Sequence, residues 1–432
     1  MTANDQNGPP PDGTPFREED IIYDWNKVDQ VTPPLRAGPI EFLDETLRDG
    51  LQSPSAVDPP VADKIMLLHT MDDLGIHYAD VGLPGAGRKP YRDVLEMAKE
   101  VAAAKLSIKL CAAARTLDKD VDPIIEISQK TGVEIEVLAF IGTSPIRQFV
   151  EQWNRHKMLR LVREAIRRAR AAGLPVTFVT EDTTRAKPDT LYPLYHVAIE
   201  SGARRICLCD TVGHATPDGL KALIRFTREI VKGMGKDIQL DWHGHNDRGM
   251  GLTNTIHAIE AGVSRVHGTA LGIGERVGNA AMDQILMNLK LLGAIDNDLS
   301  KLMLYCKQAA VATHWHIQNN YPLVGGDAFR TSTGVHAAAI RKARRLGAAW
   351  LEDRIYSGVP ASEFGRTQIV EIGPMSGAAN VQFWLEARDI PVEEGLVSRI
   401  LDVAKRGSRV LEDIEVEFAV RRYHRENQGD PS

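Results

Sequence analysis

His243 and His245, separated by a glycine and followed by Asn246 and Asp247, are the residues of this chain best suited to hold an ion. If they close a β-strand, side chains two apart project to the same side, so both imidazoles can meet one metal while Gly244 leaves space between them. An isolated H-x-H pair reads better as two histidines capping hydrogen-bond networks, so the other residues of its kind decide the matter. Short apolar runs elsewhere end in Asp44-Glu45-Thr46-Leu47-Arg48-Asp49-Gly50, in Glu181-Asp182, in Asp210-Thr211 and in a glycine-rich stretch that closes on Asn279. An aspartate from the first of these and the amide oxygen of Asn279 would complete a mixed nitrogen and oxygen set. Such a set leaves positions open for a bidentate substrate.

Groups so far apart in the chain meet only if strand ends converge. From Ile40 onward, short apolar runs alternate with helical patterns, the signature of a parallel sheet buried on both faces. The runs IEFLDETL, HYADVGL, LSIKLCAA, VEIEVLAFI, PVTFVTE, RRICLCDTVG, IQLDWHGHND and RVHGTALGIG predict eight strands with helices between them. The fold class is therefore α/β, a (β/α)8 TIM barrel over residues 39–294, whose reactive groups sit at the C-terminal ends of the strands. Glycines in AAGLP, ESGARR and EAGVSR fit helix C-caps, and a last barrel helix is expected from about Asn279 to Leu292. Residues 1–38, rich in Pro, Gly and acidic groups, suit an arm or tail. Residues 295–432 suit smaller, mainly helical C-terminal subdomains.

Composition narrows the partners. The 432 residues are 43% hydrophobic and 25% charged, enough for a large core. A net charge of −6 supplies no basic stripe for a nucleic-acid backbone, and the arginines between Arg160 and Arg170 read as one helix's solvated face. Cys111, Cys207, Cys209 and Cys306 form no C-x-x-C pair or disulfide framework, which fits a reducing cytoplasm. Cys207 and Cys209 alternate along an apolar run and read as small buried strand residues. No signal peptide or membrane span is expected.

Two glycine-rich stretches need separate treatment. GLPGAGRK, from Gly82 to Lys89, lacks the G-K-[ST] ending of a P-loop and reads as a βα loop in which Arg88 or Lys89 could meet a phosphate by charge alone. GIGERVGN, from Gly272 to Asn279, lacks the dinucleotide spacing. Its place between the last strand and the last helix suits backbone amides that bind ligand groups.

With DETLRDGLQSP from Asp44, HGHNDRGMGLTNTIHAIEAG from His243 and GIGERVGNA from Gly272, the chain resembles a family of metal-dependent barrel enzymes. That family comprises isopropylmalate, homocitrate and citramalate synthases and hydroxymethylglutaryl-CoA lyase. The resemblance covers about 40–293 and continues more weakly through STGVHAAAI and the stretch from Tyr356 to Gly377. It implies that Asp49, His243, His245 and Asn279 hold a divalent ion, Mg, Mn, Co or Zn, which chelates the carboxylate and keto oxygen of a 2-oxo acid. It further implies that Arg48 stabilises the alkoxide, Thr211 binds the substrate carboxylate, and Glu181 takes part in proton transfer. Acetyl-CoA or a related acyl-CoA would be the co-substrate. His336 and Tyr356 match family positions that reach into the partner's barrel, which implies a homodimer with shared sites.

Two departures bear on the reaction. Leu51 gives RDGLQ, the lyase's wording, where the synthases read RDGEQ, whereas GIGERVGN is the synthases' wording and lacks the lyase's loop cysteine. The second, together with the post-barrel module, favours a 2-isopropylmalate synthase-like acyltransferase over a retro-Claisen acyl-CoA lyase, and the metal set with Arg48 argues against a non-catalytic metabolite-binding barrel. Homocitrate synthases carry an arginine four residues before the fifth-strand glutamate, and Thr177 stands there. A short apolar 2-oxo acid, such as 2-oxoisovalerate or pyruvate, is therefore expected, with citramalate or homocitrate synthesis as alternatives. Because the sequence stops at Ser432, no leucine-binding regulatory domain, and so little leucine inhibition, is expected.

Overall fold

Eight short runs pair side by side in chain order and close into a barrel: β1 Glu41–Asp44, β2 Tyr78–Asp80, β3 Lys109–Arg115, β4 Ile135–Gly142, β5 Val176–Glu181, β6 Arg205–Asp210, β7 Gln239–Gly244 and β8 Arg265–Gly268. Every pairing is parallel, and β1 closes on β8 with Glu41 opposite Arg265 and Asp44 opposite Gly268. The computed structural model describes residues 17–27, 35, 38–347 and 349–428. Helices cover the outside, so strands such as β4 and β6 are buried nearly end to end and read as continuous apolar runs. Gly173, Gly202 and Gly262 follow helix ends with φ of +85°, +108° and +98°, as the C-cap expectation required. The last barrel helix is Met282–Leu291.

Alternation along each strand sorts the barrel interior into layers. The lowest is ionic. Arg265, wholly buried, donates to Glu136 at 2.7 and 3.0 Å, to Asp241 at 2.6 and 2.8 Å, and to Thr177 at 3.1 Å. Its guanidinium also lies 4.4 Å from the centre of the Tyr78 ring. Above it comes an apolar layer of Leu43, Cys111 and Leu138 with Val179 against them. Above that, at the C-terminal strand ends, the polar groups return.

The compact unit that holds the barrel is Pro33–Ile317, so it includes the helix Leu302–Thr313, whose Tyr305 hydroxyl donates to the buried Asp44. The second unit is mainly helical. Its helices include Gly334–Arg345, Ala378–Glu386, Glu394–Arg406 and Asp413–Gln428, and Trp384, Leu396, Ile400 and Val416 share its core. Arg330–Thr331 and Ile369–Val370 add a short parallel pair. Of the expected N-terminal arm, the helix Glu18–Ile21 and the 3-10 turn Trp25–Lys27 are described, and most of the remainder lies outside the described residues. Among the described residues, no helix is long and apolar enough to cross a membrane.

The ionic layer yields a stability prediction. Arg265→Met keeps bulk but leaves the buried Glu136 without its cation and Asp241 with Arg205 as its remaining arginine partner, which costs about 3–5 kcal/mol. Urea unfolding at neutral pH should show a correspondingly lower midpoint, and an unchanged midpoint would show that these carboxylates do not depend on the guanidinium.

Candidate functional site

The turn that follows β1 and the extension of β7 bring the first candidate ligands together. Asp49 Oδ2 lies 3.4 Å from His245 Nε2 and 3.7 Å from His243 Nε2, and all three residues are buried. Asn279 arrives through its loop: His245 and Asn279 form an antiparallel bridge, Asn246 N donates to Gly278 O, and Ala280 N donates to Gly244 O. Gly278 permits the turn, since its φ is +89° and an added Cβ would stand 1.9 Å from the Gly272 carbonyl oxygen.

These residues fit a divalent cation. Asn279 Nδ2 donates to Asp49 Oδ2 at 2.6 Å, while the buried Asn279 Oδ1 has no partner. Turning the amide over would aim that oxygen at the Asp49 carboxylate, an arrangement that only a cation between the two oxygens makes favourable. His243 Nδ1 is taken up by Glu45 Oε2 at 2.6 Å, so its Nε2 is the nitrogen left to face Asp49. Two imidazole nitrogens, a carboxylate oxygen and an amide oxygen are thus the available donors.

Charge is concentrated around this cluster. Arg48 donates to Asp80 and Glu45, each at 2.7 Å, and pairs with Asp49 at 3.2 Å. Burial works against the Asp49 carboxylate, but Arg48 and the imidazoles outweigh it and hold the carboxyl below its ordinary range. The same opposition holds Glu45 well below its range, with His243, His267 and Arg48 outweighing burial. Burial also pulls His243 down, yet the Glu45 carboxylate raises it to about 9. His245 is lowered to about 4 by burial and by the neighbouring His243.

A cavity of about 210 Å³ opens over these groups. Arg48, Asp49, His243 and His245 line it from the β1 and β7 ends, and Ala113, Leu138, Phe140 and Val179 line it from β3, β4 and β5, across the ring in strand order. Glu181 and Thr211 also line it. Burial raises the Glu181 carboxyl above its ordinary range, against the pull of Arg147, whose Nε is 3.0 Å from Oε1. The Thr211 hydroxyl accepts from Asp182 N at 2.9 Å and keeps its own hydrogen to donate.

The barrel therefore gathers Arg48, Asp49, Glu181, Thr211, His243, His245 and Asn279 around one chamber. His336 and Tyr356 belong to the second unit, where their rings stack with centroids 3.9 Å apart. Thr177 does not line the cavity: it faces Arg265 and Glu136 in the ionic layer, and Val179 stands above it on the same strand. The amides of Gly278, Asn279 and Ala280 are spent on internal bonds, and the GIGERVGN loop offers the chamber the side chains of Glu275 and Arg276 instead. Lys89 is held by Asp58 and Asp93. Cys207 and Cys209, both buried, line the cavity with their sulfurs 3.7 Å apart. Sequence reasoning missed Glu45, Asp80 and His267. Their signal was strand periodicity, which places Glu45 two residues after Leu43, Asp80 two after Tyr78 and His267 two after Arg265.

The family model described as HMGL-like matches residues 39–310. A homocitrate synthase of Methanopyrus kandleri is 31% identical over 361 residues, covering 83% of this chain and 85% of the relative. A 2-isopropylmalate synthase of Methanocaldococcus jannaschii is 29% identical over 412 residues, covering 93% of this chain and 74% of the relative. Among solved structures, an HMG-CoA lyase of Bacillus subtilis shares the fold with a TM-score of 0.53 at 20% identity, covering 64% of this chain and 94% of that one.

The cluster can be tested without turnover. His243→Ala should abolish stoichiometric Co(II) binding in equilibrium dialysis. Gly274→Ala, whose Cβ would stand 2.4 Å from Asn279 Oδ1, should weaken it by about 10–100-fold. Both should keep the far-UV circular dichroism of the parent, and unweakened binding in His243→Ala would remove this cluster as the ion's seat.

Proposed function

Because this chain belongs to the HMGL-like family, we propose that it is an acyltransferase that condenses acetyl-CoA, or a related acyl-CoA, with a short apolar 2-oxo acid, as 2-isopropylmalate synthases do. One observation carries the reading: a buried donor set for a cation and the Arg48 guanidinium share a chamber whose far wall is apolar. A divalent ion held by Asp49, His243, His245 and Asn279 would act as a Lewis acid toward the carboxylate and keto oxygen of the 2-oxo acid. Mg, Mn, Co and Zn all suit these donors.

The protein's own groups do the rest. Arg48 is held rigidly by Asp80, Glu45 and Asp49, so its guanidinium is set in advance to stabilise the alkoxide as the acetyl methyl carbon bonds to the keto carbon. Thr211 donates its hydroxyl hydrogen to the substrate carboxylate. Glu181, whose carboxyl burial raises above its ordinary range, takes part in proton transfer during condensation or at the water that cleaves the thioester. That hydrolysis releases CoA and leaves a second carboxylate on the product. Ala113, Leu138, Phe140 and Val179 accept an apolar side chain such as that of 2-oxoisovalerate or pyruvate, and none of them offers a charge to a distal carboxylate. The RDGLQ wording at Leu51 keeps a retro-Claisen lyase as the second reading.

A free-thiol assay separates the two readings. Acetyl-CoA with a panel of 2-oxo acids and a divalent ion should release CoA, fastest with the short apolar acids. If no 2-oxo acid stimulates release while a 3-hydroxyacyl-CoA is cleaved, the synthase reading fails and the lyase stands.

In the synthase reading the active unit is a homodimer in which His336 and Tyr356 complete the partner's chamber, His336 serving as the base for the acetyl methyl. His336→Ala and His243→Ala homodimers should each be nearly inactive. Mixed, they should regain activity, because a heterodimer rebuilds one intact site from the undamaged barrel of one chain and the undamaged second unit of the other. Subunit exchange verified by a tag, with no activity regained, would count against a shared site.

A further inference from the structure

We propose that Glu45 is a positioning residue that holds Arg48 and His243 in register with each other, braced from below by His267; the inference rests on the roles given above to Arg48 and to the ion. The Glu45 carboxylate is almost wholly buried, and each of its contacts comes from a different element. Oε1 accepts from Arg48 Nη2 at 2.7 Å and meets His267 Nδ1 at 3.2 Å, while Oε2 meets His243 Nδ1 at 2.6 Å. His267 in turn meets Asp241 Oδ2 at 3.4 Å, the oxygen that also accepts from Arg265 at 2.6 and 2.8 Å. A polar chain therefore crosses the apolar layer, from Arg265 through Asp241, His267 and Glu45 to His243.

Each link has a physical consequence. A carboxylate on Nδ1 selects the His243 tautomer that carries its proton there and presents the Nε2 lone pair to the Asp49 side. The other oxygen fixes one edge of the guanidinium, while Asp80 fixes its Nε. Asp80 reaches Arg48 alone of the pair. Asp49 touches both, but it is itself a candidate ligand, and an ion would set its orientation. Glu45 is thus the group through which displacement of the guanidinium and displacement of the imidazole become one event.

Glu45→Gln separates this arrangement from a general contribution to the core, because glutamine keeps the size but turns an N–H toward Arg48, His267 or His243. Relative to the unsubstituted enzyme, Glu45→Gln should bind Co(II) about 10–100-fold more weakly with an altered visible spectrum. Its kcat should also stay depressed at saturating metal. Asp80→Asn should depress kcat while leaving Co(II) affinity and spectrum unchanged. Unchanged Co(II) binding in Glu45→Gln would overturn the proposal, and so would full recovery of kcat with excess metal. If the unsubstituted enzyme bound no Co(II), the metal reading beneath the proposal would fail first. Should Glu45→Gln not fold, nitrogen NMR of the unsubstituted Co(II) form decides: His243 should be ligated through Nε2 and protonated at Nδ1, and ligation through Nδ1 would overturn the assignment.

Discussion

The closing of β1 on β8 is the constraint from which the rest of the chamber follows. That register, Asp44 opposite Gly268, sets the turn holding Glu45, Arg48 and Asp49 beside the strand ends that carry His243, His245 and His267. The partners are about two hundred residues apart in the chain, so no local preference could hold them together. Backbone pairing around a closed ring does it, because closure leaves no edge at which the register could slip.

Inside the ring, polarity is sorted by height. Arg265 cannot be buried without compensation, and Glu136 and Asp241 supply it at the level where Thr177 completes the hydrogen bonds. Of the apolar layer above, Leu138 and Val179 also line the cavity. His267 is the polar crossing between the two levels, bonded to Asp241 below and Glu45 above. Charge in the chamber is therefore tied to charge in the barrel floor. Arg48 and the imidazoles of His243 and His267 outweigh the penalty of burial and hold the Glu45 carboxyl well below its ordinary range.

The chamber keeps one reactive wall and one apolar wall. Arg48 is fixed by three carboxylates, so in the proposed reaction little reorganisation would be needed as negative charge develops next to it. The facing Ala113, Leu138 and Val179 offer shape without charge. The contrast between the walls, more than any single residue, is what supports the short apolar 2-oxo acid proposed as substrate.

The eight strands, the barrel, and Arg48, Asp49, Glu181, Thr211, His243 and His245 as lining of one chamber were legible in the sequence. Period-two alternation and the placement of reactive groups at strand ends are local properties, written wherever the strand is written. Tertiary structure alone decided the height at which each inward side chain sits, because height depends on strand tilt and on the sum of registers around the ring. Thr177 looked like a residue of the substrate pocket and lies instead beside Arg265 in the ionic layer. The glycine loop looked like a set of free amides, but Gly278 N and Asn279 N bond within the loop to Glu275 O and Gly272 O, while Asn246 N to Gly278 O and Ala280 N to Gly244 O pair it with the end of β7 and bring Asn279 to face Asp49. Glu45 looked like one acidic residue among several at a strand end. That it joins an arginine and two histidines follows only from where β1, β7 and β8 meet, since a carboxylate's role is set by the donors that surround it and those donors come from distant strands.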